Sequence, residues 1–147
     1  MNREKIHILK VTLTDEKGGK RGRPYRIIAV KGNTTLYRLA EIIVESFDFQ
    51  FDHAFGFYDN LKNYFESEEG YELFKDIGEE SRYGSVKKTK VADVFLNVGK
   101  KMLFLFDYGD EWQFIVELKK VEEADKENKY PIVLKAVGKA PPQYGSF

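Results

Sequence analysis

The segment FLFDYGDEWQF, residues 104–114, places Asp107, Asp110 and Glu111 beside Trp112, the only tryptophan of the chain. Carboxylates three apart against an aromatic wall can hold a hard divalent cation, or divide the roles of general acid and base. They are also ordinary turn chemistry: Asp107 accepting turn N–H groups or the indole N–H, Asp110 in the turn, Glu111 solvated. His53 is one of two histidines and could add a ligand or carry a proton near neutral pH. In an apolar strand the commoner reading is a satisfied, half-buried ring. His7, near the start of an edge-like strand, is the weaker candidate. Tyr108 and Trp112 offer ring surface to a ligand.

A second constellation is basic. Lys17, Lys20, Arg21, Arg23 and Arg26 could grip phosphates, with Tyr25 as a stacking ring, or could form a solvated hairpin loop. GGKRGRP lacks the G-K-[ST] of a phosphate-binding P-loop and the strand-to-helix context that would surround a phosphate with N–H groups. Lys plus Arg (24) balance Asp plus Glu (24), so no global field draws the molecule to nucleic acid or an anionic membrane.

The elements that must position these residues follow from periodicity. Ile6 to Leu13 alternates as a half-buried strand, and Arg26 to Val30 is a second β-rich run. Leu36, Leu39, Ala40, Ile43, Val44 and Phe47 recur at three and four. The spacing predicts an amphipathic helix over about 35–47, capped by Thr34 or Thr35, with its apolar face on the first hairpin. Phenylalanines at 47, 49, 51, 55 and 57 fall on one side of an extended segment, with a strand from His53 to Tyr58. Residues 59–88 read as a partly helical excursion from the core sheet. Lys90 to Leu96 gives one or two helical turns, and Pro131 to Val137 a last apolar segment.

Between them runs a hairpin, Lys101 to Val121. A two-residue Gly109-Asp110 loop of type II′ sets Tyr108 opposite Glu111 and Asp107 opposite Trp112. Leu105 then pairs with Phe114 and Leu103 with Val116 on an all-apolar face, while Phe106 meets Gln113 and Phe104 meets Ile115 on the other. The whole predicts an α+β chain: a mixed, β-grasp-like sheet with one main helix packed on it, as a single domain over residues 1–147. The absence of cysteine excludes disulfides and thiolate sites. With neither an apolar leader in MNREKIHILK nor an apolar run of membrane-spanning length, the expectation is a cytoplasmic protein with no membrane partner.

FLFDYGDEWQFIVEL resembles the F-x-Y-D-F-G-D-x-W-x-H-x-I-x-L-E signature of the plasmid pRiA4b ORF-3-like family, whose members often travel with plasmids and insertion elements. ILKVTL, PYRIIAV and TLYRLAEIIVESF resemble the family's opening, and YPIVLKAVGKAPP its ending; only about residues 59–85 are poorly matched. The resemblance implies a fold of mixed sheet and helix, without implying an activity. HAFGF, residues 53–57, stands where the family has H-L-H-x-F, keeping the first histidine. Phe114 replaces its histidine after the tryptophan, Ala140 its cysteine, and Gln143-Tyr144 its E-D. Of any polar site built from those positions the chain retains His53, Asp107, Asp110 and Glu111.

Three expectations result. The first is a noncatalytic binding module for a protein or small ligand, using the aromatic sheet face and the 59–88 segment. The second is a hydrolase or nucleic-acid-processing enzyme with a divalent cation at Asp107, Asp110, Glu111 and His53. The third is nucleic-acid binding through the 17–26 loop.

Overall fold

The computed structural model describes residues 4–14 and 23–144. Strands β1 (Lys5–Leu13) and β2 (Tyr25–Lys31) lead into helix α1 (Leu36–Ser46), followed by β3 (Phe55–Tyr58). A 3-10 turn (Tyr64–Glu66), β4 (Gly70–Glu72), α2 (Leu73–Asp76), β5 (Gly84–Ser85) and α3 (Val91–Val94) come next. The chain then forms β6 (Lys101–Phe106), β7 (Trp112–Glu123) and β8 (Ile132–Val137). Among the described residues the eight strands belong to one sheet of order β5-β4-β3-β6-β7-β1-β2-β8. It is a mixed sheet by virtue of the parallel β4–β5 pair; every other pairing is antiparallel. The architecture is α+β with the sheet dominant and α1 the main helix.

The helix forms where periodicity places it. The Thr35 hydroxyl accepts the Arg38 N–H at 3.1 Å, satisfying a donor with no intrahelical partner. Leu36, Leu39, Ala40, Ile43 and Val44 are buried along one face. Beyond Phe47 the chain turns through Asp48 at φ 63°, and Phe49 donates back to the Val44 carbonyl at 3.0 Å. α1 packs in one cluster with Leu9, Val11, Leu13, Ile28 and Val30 of the first hairpin and with Phe55, Phe57, Phe104, Phe106, Trp112 and Phe114. The alternating phenylalanines thus form core, each contributing about 1.5–3 kcal/mol by leaving water. They do not supply an exposed aromatic face.

The opposite face carries two smaller clusters, one on Ile6, Ile8 and Ala29, the other on Tyr58, Leu103 and Leu105. Residues 59–88 form short helical pieces, as their pattern suggests. They also rejoin the sheet, since β4 pairs with β3 and β5 with β4.

His7 is a core residue, 6% exposed, with Nδ1 lacking a hydrogen-bond partner. A side-chain carbon on Gly32 would lie 3.0 Å from its ring, so the ring is closely packed. Burial lowers its pKa below the ordinary 6.5. The unfolded chain therefore takes up the proton first, and His7 costs stability as pH falls from 6.5 toward its lowered folded value. Urea unfolding measured across this range is expected to show that loss, with a slope of up to about 1.4 kcal/mol per pH unit from this group. His7→Leu removes that component.

Candidate functional site

The β6–β7 connection is a five-residue loop, Asp107 to Glu111, in place of the expected type II′ turn. Asp107 and Glu111 take left-handed φ values of 69° and 53°. The Glu111 N–H donates to the Asp107 carbonyl at 2.6 Å. The Asp107 Oδ1 accepts from Gly109 N–H at 3.0 Å and Asp110 N–H at 3.3 Å. With five loop residues in place of two, the register shifts by one: Phe106 pairs with Trp112, Leu105 with Gln113, Phe104 with Phe114 and Leu103 with Ile115. A one-residue slip exchanges the faces. Here it brings Phe104, Phe106, Trp112 and Phe114 together under the helix, leaving Leu103 and Leu105 on the far side.

Asp107 is buried, and its second oxygen faces elsewhere. β3 pairs with β6, which brings His53 to the hairpin. His53 Nε2 lies 3.4 Å from Asp107 Oδ2, 3.4 Å from Asp52 Oδ1 and 3.0 Å from the Tyr144 hydroxyl. The Tyr144 hydroxyl donates to Asp52 Oδ2, which pushes its pKa up to about 12. Next to it, the Gln143 side-chain amide pairs with the backbone of Gln50: its Oε1 accepts the N–H at 2.6 Å and its Nε2 donates to the carbonyl at 3.0 Å. The C-terminal segment is thereby fastened beside His53. One imidazole nitrogen cannot form short bonds to three partners, so the cluster orients the tail and the ring together. Among the described residues no group of three or more His, Asp or Glu side chains is arranged to hold a metal ion. Asp107 and Asp110 act electrostatically on Tyr144, whereas Glu111 acts on Tyr64.

On the far face, Tyr58 donates to Glu72 Oε2, its hydroxyl lies 2.6 Å from that of Tyr108, and Ser81 donates to Glu72 Oε1 at 2.6 Å. Burial raises the pKa of Tyr58 and Tyr108, with the nearby Glu72 charge adding to both, so both hydroxyls stay protonated. Around this network the 59–68 loop is fixed by its own side chains. Glu68 N–H donates to Asp59 Oδ1, Asn60 N–H to Ser67 Oγ, and Lys62 and Asn63 N–H groups to Asn60 Oδ1. Arg82 Nη2 donates to the Phe65 carbonyl at 3.0 Å and stacks over the Tyr83 ring. The loop borders two open grooves. One, about 570 Å³, is lined by Phe65, Glu66, Ser67, Glu68, Arg82 and Tyr83. The other, about 460 Å³, is lined by Asp59, Asn60, Leu61, Lys62 and the same two glutamates. Phe65 is 62% exposed.

Several sequence candidates lie elsewhere. Trp112 is 1% exposed and packs edge-on to Phe49 at 4.7 Å, so it presents no binding surface. Tyr108 points its hydroxyl into the Tyr58 network. Arg26 is 5% exposed and cannot grip a phosphate: its guanidinium donates to the carbonyls of Ser46, Tyr25, Val137 and Gly138. Arg23 is exposed, while Lys17, Lys20 and Arg21 lie outside the described residues. Nothing local in the sequence marks Asp52. Tyr144 stands 91 residues from His53, and its only sequence signal is its place at the family's E-D position. Phe65 was legible as an apolar residue set in the acidic run YFESEE.

The sheet, its single main helix and the acidic hairpin loop define a sheet-dominated α+β class. The chain belongs to the plasmid pRiA4b ORF-3-like protein family, whose model matches residues 5–144. It is similar to the crystal structure of a protein of unknown function, MM3350 from Methanosarcina mazei Go1, with a TM-score of 0.77 and 26% identity. That match covers 97% of this chain and 75% of the other. No curated protein matches. No helix among the described residues is long and apolar enough to cross a membrane.

Proposed function

We propose that the protein is a noncatalytic binding module whose 59–68 loop captures a cationic peptide segment bearing an apolar anchor. Phe65 carries this reading: a large ring, mostly exposed, on a loop already fixed by hydrogen bonds, lining the larger of two grooves that share Glu66 and Glu68. An exposed aromatic on a preorganised loop loses little entropy on binding and is the kind of residue that dominates interface energy. Residues 59–85 contain eight Asp or Glu against three Lys or Arg, a local excess of −5 in a chain of net charge zero. Arg82, the basic residue of the larger groove, already has carbonyl partners. Such a surface favours Lys- and Arg-bearing segments.

Selection of displayed random peptides on the immobilised full chain tests this. Enriched peptides are expected to be basic and to contain Leu, Phe or Trp. Phe65→Ala should weaken them by about 2 kcal/mol or more, roughly thirtyfold, without lowering thermal stability. Enrichment of acidic peptides, no enrichment, or equal binding to Phe65→Ala would overturn the assignment.

A further inference from the structure

The opposite end of the sheet is an edge with different chemistry. β8 pairs with β2 on one side and ends the sheet on the other, so no described strand meets its outer backbone groups. Val133, Leu134 and Val137 are 46%, 54% and 38% exposed. A strand edge of this kind is a template for another extended chain. Two features select the occupant. Residues 128–147 contain Lys129, Lys135 and Lys139 and no Asp or Glu. Among the described residues these three lysines form no ion pair; Lys135 Nζ lies 6.0 Å over the Tyr25 ring. The strand is also bulged, the register stepping from Val133 opposite Ile28 to Lys135 opposite Ile27 with Leu134 left over.

A bulge and a central lysine discourage an edge from pairing indiscriminately, with its own copies included, so a strand that adds here must offset the lysine charge. Antiparallel self-pairing of β8 would bring the lysines of both copies together, with like charges across the strands. The same lysines favour a strand that carries carboxylates. We propose that the outer edge of β8 accepts, by strand addition, an extended segment of another protein in which apolar residues alternate with Asp or Glu. Backbone hydrogen bonds would hold the segment, its carboxylates would share the face of Lys135, and its apolar side chains would lie on the other face, where the bulge sets Val133 and Ala136. This surface is separate from the Phe65 grooves and opposite in charge.

The test uses the full chain and three fluorescent peptides that alternate Glu with Val, with Tyr or with Thr, each beside a version with Lys in place of Glu. At least one Glu peptide is expected to bind and to slow amide exchange within Ile132–Val137, with affinity falling as salt rises. Its Lys counterpart should not bind. Lys135→Glu, at an exposed edge position, should fold normally and weaken the Glu peptide about tenfold, since a favourable charge pair becomes a repulsive one. Phe65→Ala should leave this binding unchanged, which separates the outcome from that of the groove. The proposal is overturned if no Glu peptide binds, if binding leaves β8 exchange unaltered, or if Lys135→Glu has no effect. Concentration-dependent protection of β8 without peptide, with a dimer in sedimentation, would assign the edge to a second copy and likewise overturn it.

Discussion

Arg26→Met is expected to lower the unfolding free energy by about 2–4 kcal/mol, because it leaves several buried carbonyls without their charged donor, at about 1–3 kcal/mol for each that stays unsatisfied. The guanidinium joins three parts of the chain. Its Nε donates to the Ser46 carbonyl at the end of α1 at 2.7 Å, and its Nη1 donates to Tyr25 on β2, to Val137 at the end of β8 and to Gly138 just after it. It also lies over the Phe47 ring at 4.4 Å. A cation at the C-terminus of a helix meets carbonyls that have no intrahelical donor, where the helix dipole favours positive charge. Burial pulls the guanidinium pKa down and Asp48 opposes this, so the charge persists. Methionine fills part of the space but leaves those carbonyls without their donor. Arg26→Lys should recover only part of the loss, because an ammonium cannot reproduce the planar fork. Urea denaturation of the three chains decides the matter, and a loss below about 1 kcal/mol for Arg26→Met would show that water replaces the guanidinium at no cost.

Gly56→Ala should cost about 2–3 kcal/mol, near the upper end of the usual range for overpacking. A Cβ on this β3 residue would lie 2.6 Å from the Tyr58 hydroxyl and 2.8 Å from the Tyr108 hydroxyl. The Tyr58 hydroxyl is held by Glu72 and the Tyr108 hydroxyl by Tyr58, so Tyr58 cannot retreat without depriving a half-buried carboxylate of a donor, nor Tyr108 without breaking its contact with Tyr58. A double-mutant cycle with Tyr108→Phe separates the clash from general strand weakening. Removing that hydroxyl relieves part of the contact, so the combined loss should fall short of the sum by about 0.5–1 kcal/mol or more. Strict additivity would place the cost in the β3 backbone and not in the tyrosine network. Gly70 makes room for the Tyr83 ring on the same far face, while Gly84 makes room for Tyr71, which packs on the main core.

The sequence by itself determined the elements whose causes are local. Threonine at the cap and apolar residues at three and four spell out α1 to within a residue of each end. Period two spells out β1, β-rich composition marks β2, and the family resemblance covers most of the region the family model matches, residues 59–85 aside. The functional clues were partly legible: Asp107 was marked by its turn and His53 by its rarity. Tertiary structure decided the rest, because those outcomes depend on sums over distant residues. A five-residue loop in place of the two-residue turn shifts the register by one and places four aromatic rings on the helix side, a gain no window around DYGDEW can register. Arg26 reads as basic surface along the chain, and becomes a core cation only when α1, β2 and β8 present their carbonyls to it. Tyr144 reaches His53 because the sheet order sets β3 beside β6 and the tail returns across the loop, a meeting of residues 91 apart that periodicity cannot encode.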